Sequence, residues 1–329
     1  MANHKKRALV TGAAGFIGSH LVEELVERGY QVRCFVRYTS TNNLGYLNDL
    51  SPEKRKEVEV VAGDLKDGEA IRQAAQGVDV IFHLAALVGI PYSYVHPLEV
   101  IETNVTGTVN VLLAARDHGV GRVIHTSTSE VYGTAQYVPI DENHPLQGQS
   151  PYSASKIGAE KIVESFNASF GLPTTVIRPF NVFGPRQSAR AVIPTIITQA
   201  LVQDEIKLGN FDVTRDFTYV QDTVNGFITA AESDAAIGGL FNIGSNYEIS
   251  IGQIAEKIIR LVGRDVHLVQ DEKRVRPTKS EVRRLWADNQ LAYKTFGWAP
   301  KVSFDEGLER TIRWVSQNID RFRVGEYAV

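Results

Sequence analysis

RALVTGAAGFIGSHLVEELVERGY, residues 7–30, decides the fold. Five residues of strand character (Arg7–Thr11) run into a glycine-spaced turn and then into a stretch whose apolar residues recur at helical spacing. Gly12, Gly15 and Gly18 give the pattern GxxGxxG. After a strand and before a helix, the first two glycines permit a tight turn and let backbone N–H groups approach a pyrophosphate. The third lets the helix lie close against the strand. Phe16 and Ile17 lie on the same turn and are read with the glycines as dinucleotide contacts. A glycine-rich turn alone is a weak signal. A second strand over 31–36 completes a βαβ unit and makes it a strong one.

Working outward, the second strand ends in CFVRYTS, with Arg37 where an NAD-binding chain would carry an acidic residue for the ribose 2′-hydroxyl. A guanidinium with hydroxyls behind it suits a 2′-phosphate, so the cofactor reading is NAD(P), with NADP slightly favoured. An exposed arginine stacked on the adenine is the plainer alternative. VEVVAGDL gives a third strand, delivering Asp64 and Leu65 to the adenine edge. VDVIFHLAAL gives a fourth, whose small Ala85 lets a cofactor lie against backbone, and His83 in it reads as a packed core residue. Residues 97–118 read as one long helix ending at Gly119, with Asn104 reaching toward the active-site strand in a structural role. RVIHTSTSEVYG is the fifth strand. The whole is an α/β, doubly wound parallel (Rossmann) sheet with a smaller C-terminal α/β substrate domain.

Beyond the fifth strand, PYSASK opens a helix on which Tyr152 and Lys156, four residues apart, project from one face. A phenol titrates near 10 when free, about the value for tyrosine in peptides. A neighbouring ammonium and an oxidised nicotinamide would bring it toward neutrality and make it a base.

Composition removes several classes of function. The 329 residues are 43% hydrophobic and 22% charged, enough to bury a large core, and a net charge of −3 without a basic block gives no reason to expect nucleic acid or a membrane surface. Cys34 is the single cysteine and lies in a predicted strand, which excludes disulfides and cysteine-rich metal sites; no metal site is expected. No apolar run reaches the ~18 residues of a membrane span, and MANHKKR leads straight into a strand, so a cytoplasmic location is expected.

Taken together, GxxGxxG, Asp64-Leu65, HLAA, STSEVYG, YSASK, RPFNVFGPRQ and RDFTYVQD resemble the extended short-chain dehydrogenase/reductase family, in particular its nucleotide-sugar epimerases and dehydratases. The resemblance implies that Thr128, Tyr152 and Lys156 form the catalytic core, with Lys156 also on the nicotinamide ribose. It implies a nucleotide-diphosphate sugar as substrate. Glu130 is the discriminating position: a 4-epimerase typically has small residues there, whereas a 4,6-dehydratase needs a base for the C5 proton. The TSE triplet resembles that of GDP-mannose 4,6-dehydratases, and Ser129 beside it, as a substrate contact, cannot supply the carboxylic acid found in TDE enzymes. UDP-glucuronate decarboxylases carry a similar triplet and are the rival, with 4-epimerases and a catalytically silent NADP-binding sensor as further alternatives. QGQSPYSASK and PRQSARAVIPTIITQAL are similar to dehydratases acting on nucleotide-linked N-acetylglucosamine.

The same resemblance places Asn181 on the sugar diphosphate, Arg190 at the nucleotide base, and Arg215 and Arg276 on phosphate. Asp216 and Asp222 read as braces. The expected division is a dinucleotide-binding domain over 1–180, joined again by a segment near 211–244, and a nucleotide-sugar domain over 181–329. Family dimers imply a homodimer through the helices near 97–118 and Pro151–Phe170.

Overall fold

The computed structural model of the chain describes residues 5–41, 43–274, 281–322 and 324. Its centre is a seven-stranded sheet built from β1 (Arg7–Thr11), β2 (Gln31–Arg37), β3 (Val58–Gly63), β4 (Val80–His83), β5 (Arg122–Thr126) and β6 (Thr174–Pro179), with β10 (Leu240–Ile243) at one edge. The order is β10-β6-β5-β4-β1-β2-β3 and every pair is parallel. Strands covered by helices on both faces need continuous apolar runs, and β4 and β6 are buried along their whole length. β3, at the other edge, is half-buried or exposed at every position. The chain reverses direction across the sheet between β1 and β4, and such a switch point opens a crevice at the carboxyl ends of the strands.

The helix expected over 97–118 is present in three parts. Helical turns at Pro97–Ile101 and Gly107–Asp117 flank a widened i→i+5 turn at Glu102–Thr106. The extra residue directs Asn104 inward, where its side chain takes the Leu87 N–H (2.8 Å) and donates to Leu87 O and Ser155 Oγ (both 3.0 Å). Asn104 thus pins the loop after β4 to the Tyr152 helix, Pro151–Phe170, rather than to the fifth strand. That helix begins with a Ser150–Ser153 capping box and ends at Gly171 in the left-handed conformation.

Beyond β6, β7 (Asn181–Phe183), β9 (Thr214–Tyr219) and β11 (Glu248–Ser250) form a three-stranded sheet, and β8 (Glu205–Leu208) pairs with β12 (His267–Gln270). Asp216 accepts from Ser245 N, Ser245 Oγ and Ala287 N, and Asp222 from Val302 N, so both carboxylates brace backbone. Ser250 caps the amphipathic helix Ile251–Val262. One apolar core runs without a break from Val10 and Phe82 to Phe217, Ile254 and Leu308. Cys34 and His83 lie inside the protein, as the sequence pattern requires.

Candidate active site

The glycine turn is built by exclusion. Gly12 has φ +73°, and a Cβ there would stand 2.9 Å from Ala85 N. A Cβ on Gly18 would stand 2.2 Å from Gly12 O, so only hydrogen allows the helix Phe16–Glu27 to start this close to the strand. Gly15 precedes that helix without a side-chain cap, which leaves first-turn N–H groups for a ligand anion. The turn opens into a cleft of about 660 Å³, inside the range of roughly 300–1,000 Å³ typical of small-molecule sites. Ser127 Oγ, buried in its wall, has no hydrogen-bond partner among the described residues, an orphan that a bound dinucleotide would satisfy.

Of the residues read from the sequence as cofactor contacts, Gly12, Gly15, Phe16, Ile17, Gly18, Arg37, Asp64, Leu65 and Ala85 line this cleft. Thr128, Ser129, Glu130, Tyr152 and Asn181 line it as well. Lys156 lies behind the wall: it is 3% exposed and its Nζ donates to Thr126 O at 2.6 Å. Arg190 is exposed on the loop before the helix Val192–Val202. Arg215 is buried in β9, its guanidinium bonded to Thr214 O (2.9 Å) and 3.5 Å from Glu281. Neither arginine lines the cleft, and Arg276 lies outside the described residues.

At the catalytic end, Thr128 precedes a single 3₁₀ turn, Ser129–Tyr132, and its Oγ1 takes the Glu130 N–H at 3.2 Å. Tyr152 faces this turn. Burial pushes its phenol well above the usual value, a hydrogen bond with Thr128 pulls it down, and the Glu130 carboxylate pushes it up again. Burial lowers the Lys156 ammonium to about 8, against an upward pull from Glu160. His83 is held neutral, its pKa driven down to about 3 by burial and by Lys156, between the hydroxyls of Thr11 (2.8 Å) and Thr108 (3.0 Å).

The sequence reading passed over a buried set beside this site. Arg178 grips Glu160 through Nε (2.9 Å) and Nη2 (2.6 Å) and donates from Nη1 to the Tyr132 hydroxyl (2.8 Å), which donates to Asn242 Oδ1 (2.6 Å). Its signal was available: a lone arginine in the apolar strand TTVIRP requires a buried partner.

A family model described as GDP-mannose 4,6 dehydratase matches residues 9–311. The chain belongs to that family of nucleotide-sugar enzymes. Among the family's proteins, a UDP-glucose 4-epimerase of Mycolicibacterium smegmatis is 35% identical, over 94% of this chain and 98% of its own. A UDP-N-acetyl-alpha-D-glucosaminuronate decarboxylase of Bacillus cytotoxicus is also 35% identical with the same coverage. The structure of DesIV, a dTDP-glucose 4,6-dehydratase from Streptomyces venezuelae with NAD bound, superposes with TM-score 0.86 at 31% identity, over 96% of this chain and 99% of that one. Family membership therefore fixes the nucleotide-sugar class and leaves open dehydration, epimerisation or decarboxylation. Among the described residues no group of histidine, cysteine and carboxylate side chains could hold a metal, and no helix is long and apolar enough to cross a membrane.

Proposed function

We propose that this chain is a nucleotide-sugar 4,6-dehydratase acting on a neutral hexose, with UDP-N-acetylglucosamine as the first substrate to test. The observation that carries the reading is Glu130: a carboxylate in the cleft wall, close enough to Tyr152 for its charge to act on the phenol. Epimerisation at C4 has no use for this carboxylate; elimination across C5 and C6 does.

A nicotinamide dinucleotide held by the glycine turn would supply an acceptor for the C4 hydride and the donor that delivers it to C6. Tyr152 removes the C4 hydroxyl proton, helped by the Thr128 hydroxyl and by the Lys156 ammonium, which would also hold the cofactor ribose. With C4 a carbonyl, the C5 proton is acidic and Glu130 takes it. Ser129 offers no second acid, so Glu130 hands that proton to the departing C6 hydroxyl; as C6 is reduced, C5 takes a proton from solvent, and the proton that Tyr152 removed from the C4 hydroxyl returns to solvent. The sum is loss of one water to give a 4-keto-6-deoxy sugar, with the cofactor unchanged.

Decarboxylation needs a cation to hold a C5 carboxylate. Among the described residues, the cations lining the cleft are Arg37, at the end of β2, and Lys66, after β3. Arg37 is three strands from β5, roughly 14 Å at about 4.8 Å per strand, so a uronate would face Glu130 unneutralised. Gly12, Gly15, Phe16, Ile17 and Gly18 take the pyrophosphate, Asp64, Leu65 and Ala85 the adenosine, and Arg37 a 2′-phosphate; titration with NAD and with NADP tests that last role. Asn181, Arg215 and Arg276 serve the sugar diphosphate and Arg190 the nucleotide base, with residues 181–329 as the sugar-side domain and 1–180, rejoined by the segment near 211–244, as the cofactor side.

The deciding experiment is incubation with UDP-N-acetylglucosamine, GDP-mannose, dTDP-glucose and UDP-glucuronate in deuterated water. Loss of water with deuterium at C5 is the expected result. Loss of carbon dioxide, or an isomer of unchanged mass, refutes the reading.

A further inference from the structure

Glu130 stands on a turn of four residues, and a short turn does not by itself hold a carboxylate in one place. What fixes this turn is at its other end. The Tyr132 hydroxyl, two residues on, is fully buried between the Arg178 guanidinium and Asn242. The Arg178 plane also lies over the Tyr132 ring, 4.8 Å from its centre. Two further donors of Arg178, Nε and Nη2, go to Glu160, one helical turn beyond Lys156. The partners come from four elements: the Glu130 turn, the carboxyl end of β6, β10 through Asn242, and the helix that carries Tyr152 and Lys156.

A buried ion pair contributes little net stability against apolar residues of the same size, because desolvation offsets its attraction. Its geometry is another matter, since a planar fork accepts two carboxylate oxygens in one orientation. We propose that Arg178 is a positioning residue for Glu130, tying the turn that carries this carboxylate to the helix that carries Tyr152 so that both face the same sugar ring. The inference rests on the reading of Glu130 as the C5 base. Its consequence is unequal: proton removal at C5 depends on where the turn holds Glu130 and falls far more than oxidation at C4, which depends on Tyr152 and Lys156 on the helix and on Thr128 at the start of the turn.

Tyr132→Phe tests this, since it keeps the ring and deletes the oxygen that joins the turn to Arg178. With the hexose that the wild-type enzyme dehydrates, two rates are read: reduction of the bound cofactor by absorbance, and deuterium entry at C5 with loss of water. Reduction should slow far less than elimination, which falls on the order of a hundredfold, the size of effect a displacement of about 1 Å produces, so that reduced cofactor accumulates. Should that protein fail to fold, Arg178→Lys keeps the buried charge, removes the fork and carries the same expectation. Equal slowing of both steps, or of neither, overturns the proposal and leaves the pair as scaffold. A wild-type enzyme that loses no water with any hexose refutes the dehydratase reading itself, and that result is seen before any variant is made.

Discussion

The Thr128 hydroxyl is hydrogen-bonded to the Tyr152 phenol. Its oxygen also accepts the Glu130 N–H at 3.2 Å, and its bond to Tyr152 pulls the phenol's pKa down. One hydroxyl therefore steadies both the phenolate and the turn of the carboxylate. Thr128→Val keeps the shape and deletes both contacts. Cofactor reduction should slow about 10²-fold or more, the usual contribution of a positioned acid–base group, with the thermal midpoint little changed. Stopped-flow absorbance and a melting curve check the two halves.

Lys156 gives a prediction of opposite character, because its burial costs stability. Its folded pKa is about 8, against 10.5 for the free side chain. Between those values the unfolded chain holds a proton that the folded chain has released, so stability rises with pH across this window, and the cost is fully present below it. Lys156→Met removes the cost. At neutral pH the variant should be more stable than wild type by a few kcal/mol, at about 1.4 kcal/mol for each tenfold weakening of the ammonium's hold on its proton, less what the lost bond to Thr126 O contributed. Above the window the advantage should vanish. Denaturant titrations at neutral pH and near pH 11 read the difference, and a gap that does not narrow refutes the assignment of the cost to the ammonium.

What could be read from the chain and what could not divide along physical lines. Alternation of apolar runs with helical spacing was enough for the parallel sheet, since each βαβ unit is a local pattern; Arg7–Thr11 and Pro151–Phe170 fall where the sequence puts them. The widened turn at Glu102–Thr106 escaped, because one extra residue in twenty shifts the helical period too little to register. Arg178 and Glu160 meet only once β6 packs against the Tyr152 helix, so no spacing announces them. The four-residue step from Tyr152 to Lys156 suggested an ammonium acting directly on the phenol. In the folded chain that ammonium bonds the Thr126 carbonyl instead, and the phenol's nearest help is Thr128.

Gly18 separates the cofactor reading from a purely structural one. Its missing Cβ would lie 2.2 Å from Gly12 O and 3.0 Å from Ala13 Cα, all of it backbone that cannot step aside as a side chain could. Gly18→Ala must therefore push the helix Phe16–Glu27 away from the turn. A loss of stability of about 1–3 kcal/mol is expected, typical of overpacking. The dinucleotide should bind at least tenfold more weakly, because the first-turn N–H groups move with the helix. Calorimetric titration with NAD and NADP measures the second effect independently of turnover. Unchanged affinity would show that the anion is held elsewhere.

Glu130→Gln is the substitution on which dehydration and epimerisation differ most. The amide keeps the size of the side chain and its place in the cleft wall, and it cannot accept the C5 proton. Removing the carboxylate also removes the charge that pushes the Tyr152 phenol up, so C4 oxidation should proceed at a rate no lower than wild type. A dehydratase then stops at the 4-keto sugar with its cofactor reduced: absorbance rises and stays, no water is lost, and no deuterium enters at C5. An epimerase has no C5 step to lose and would go on exchanging the configuration at C4. Tyr152→Phe on the same substrate should give no reduced cofactor at all, which places the block in Glu130→Gln after the hydride has left C4.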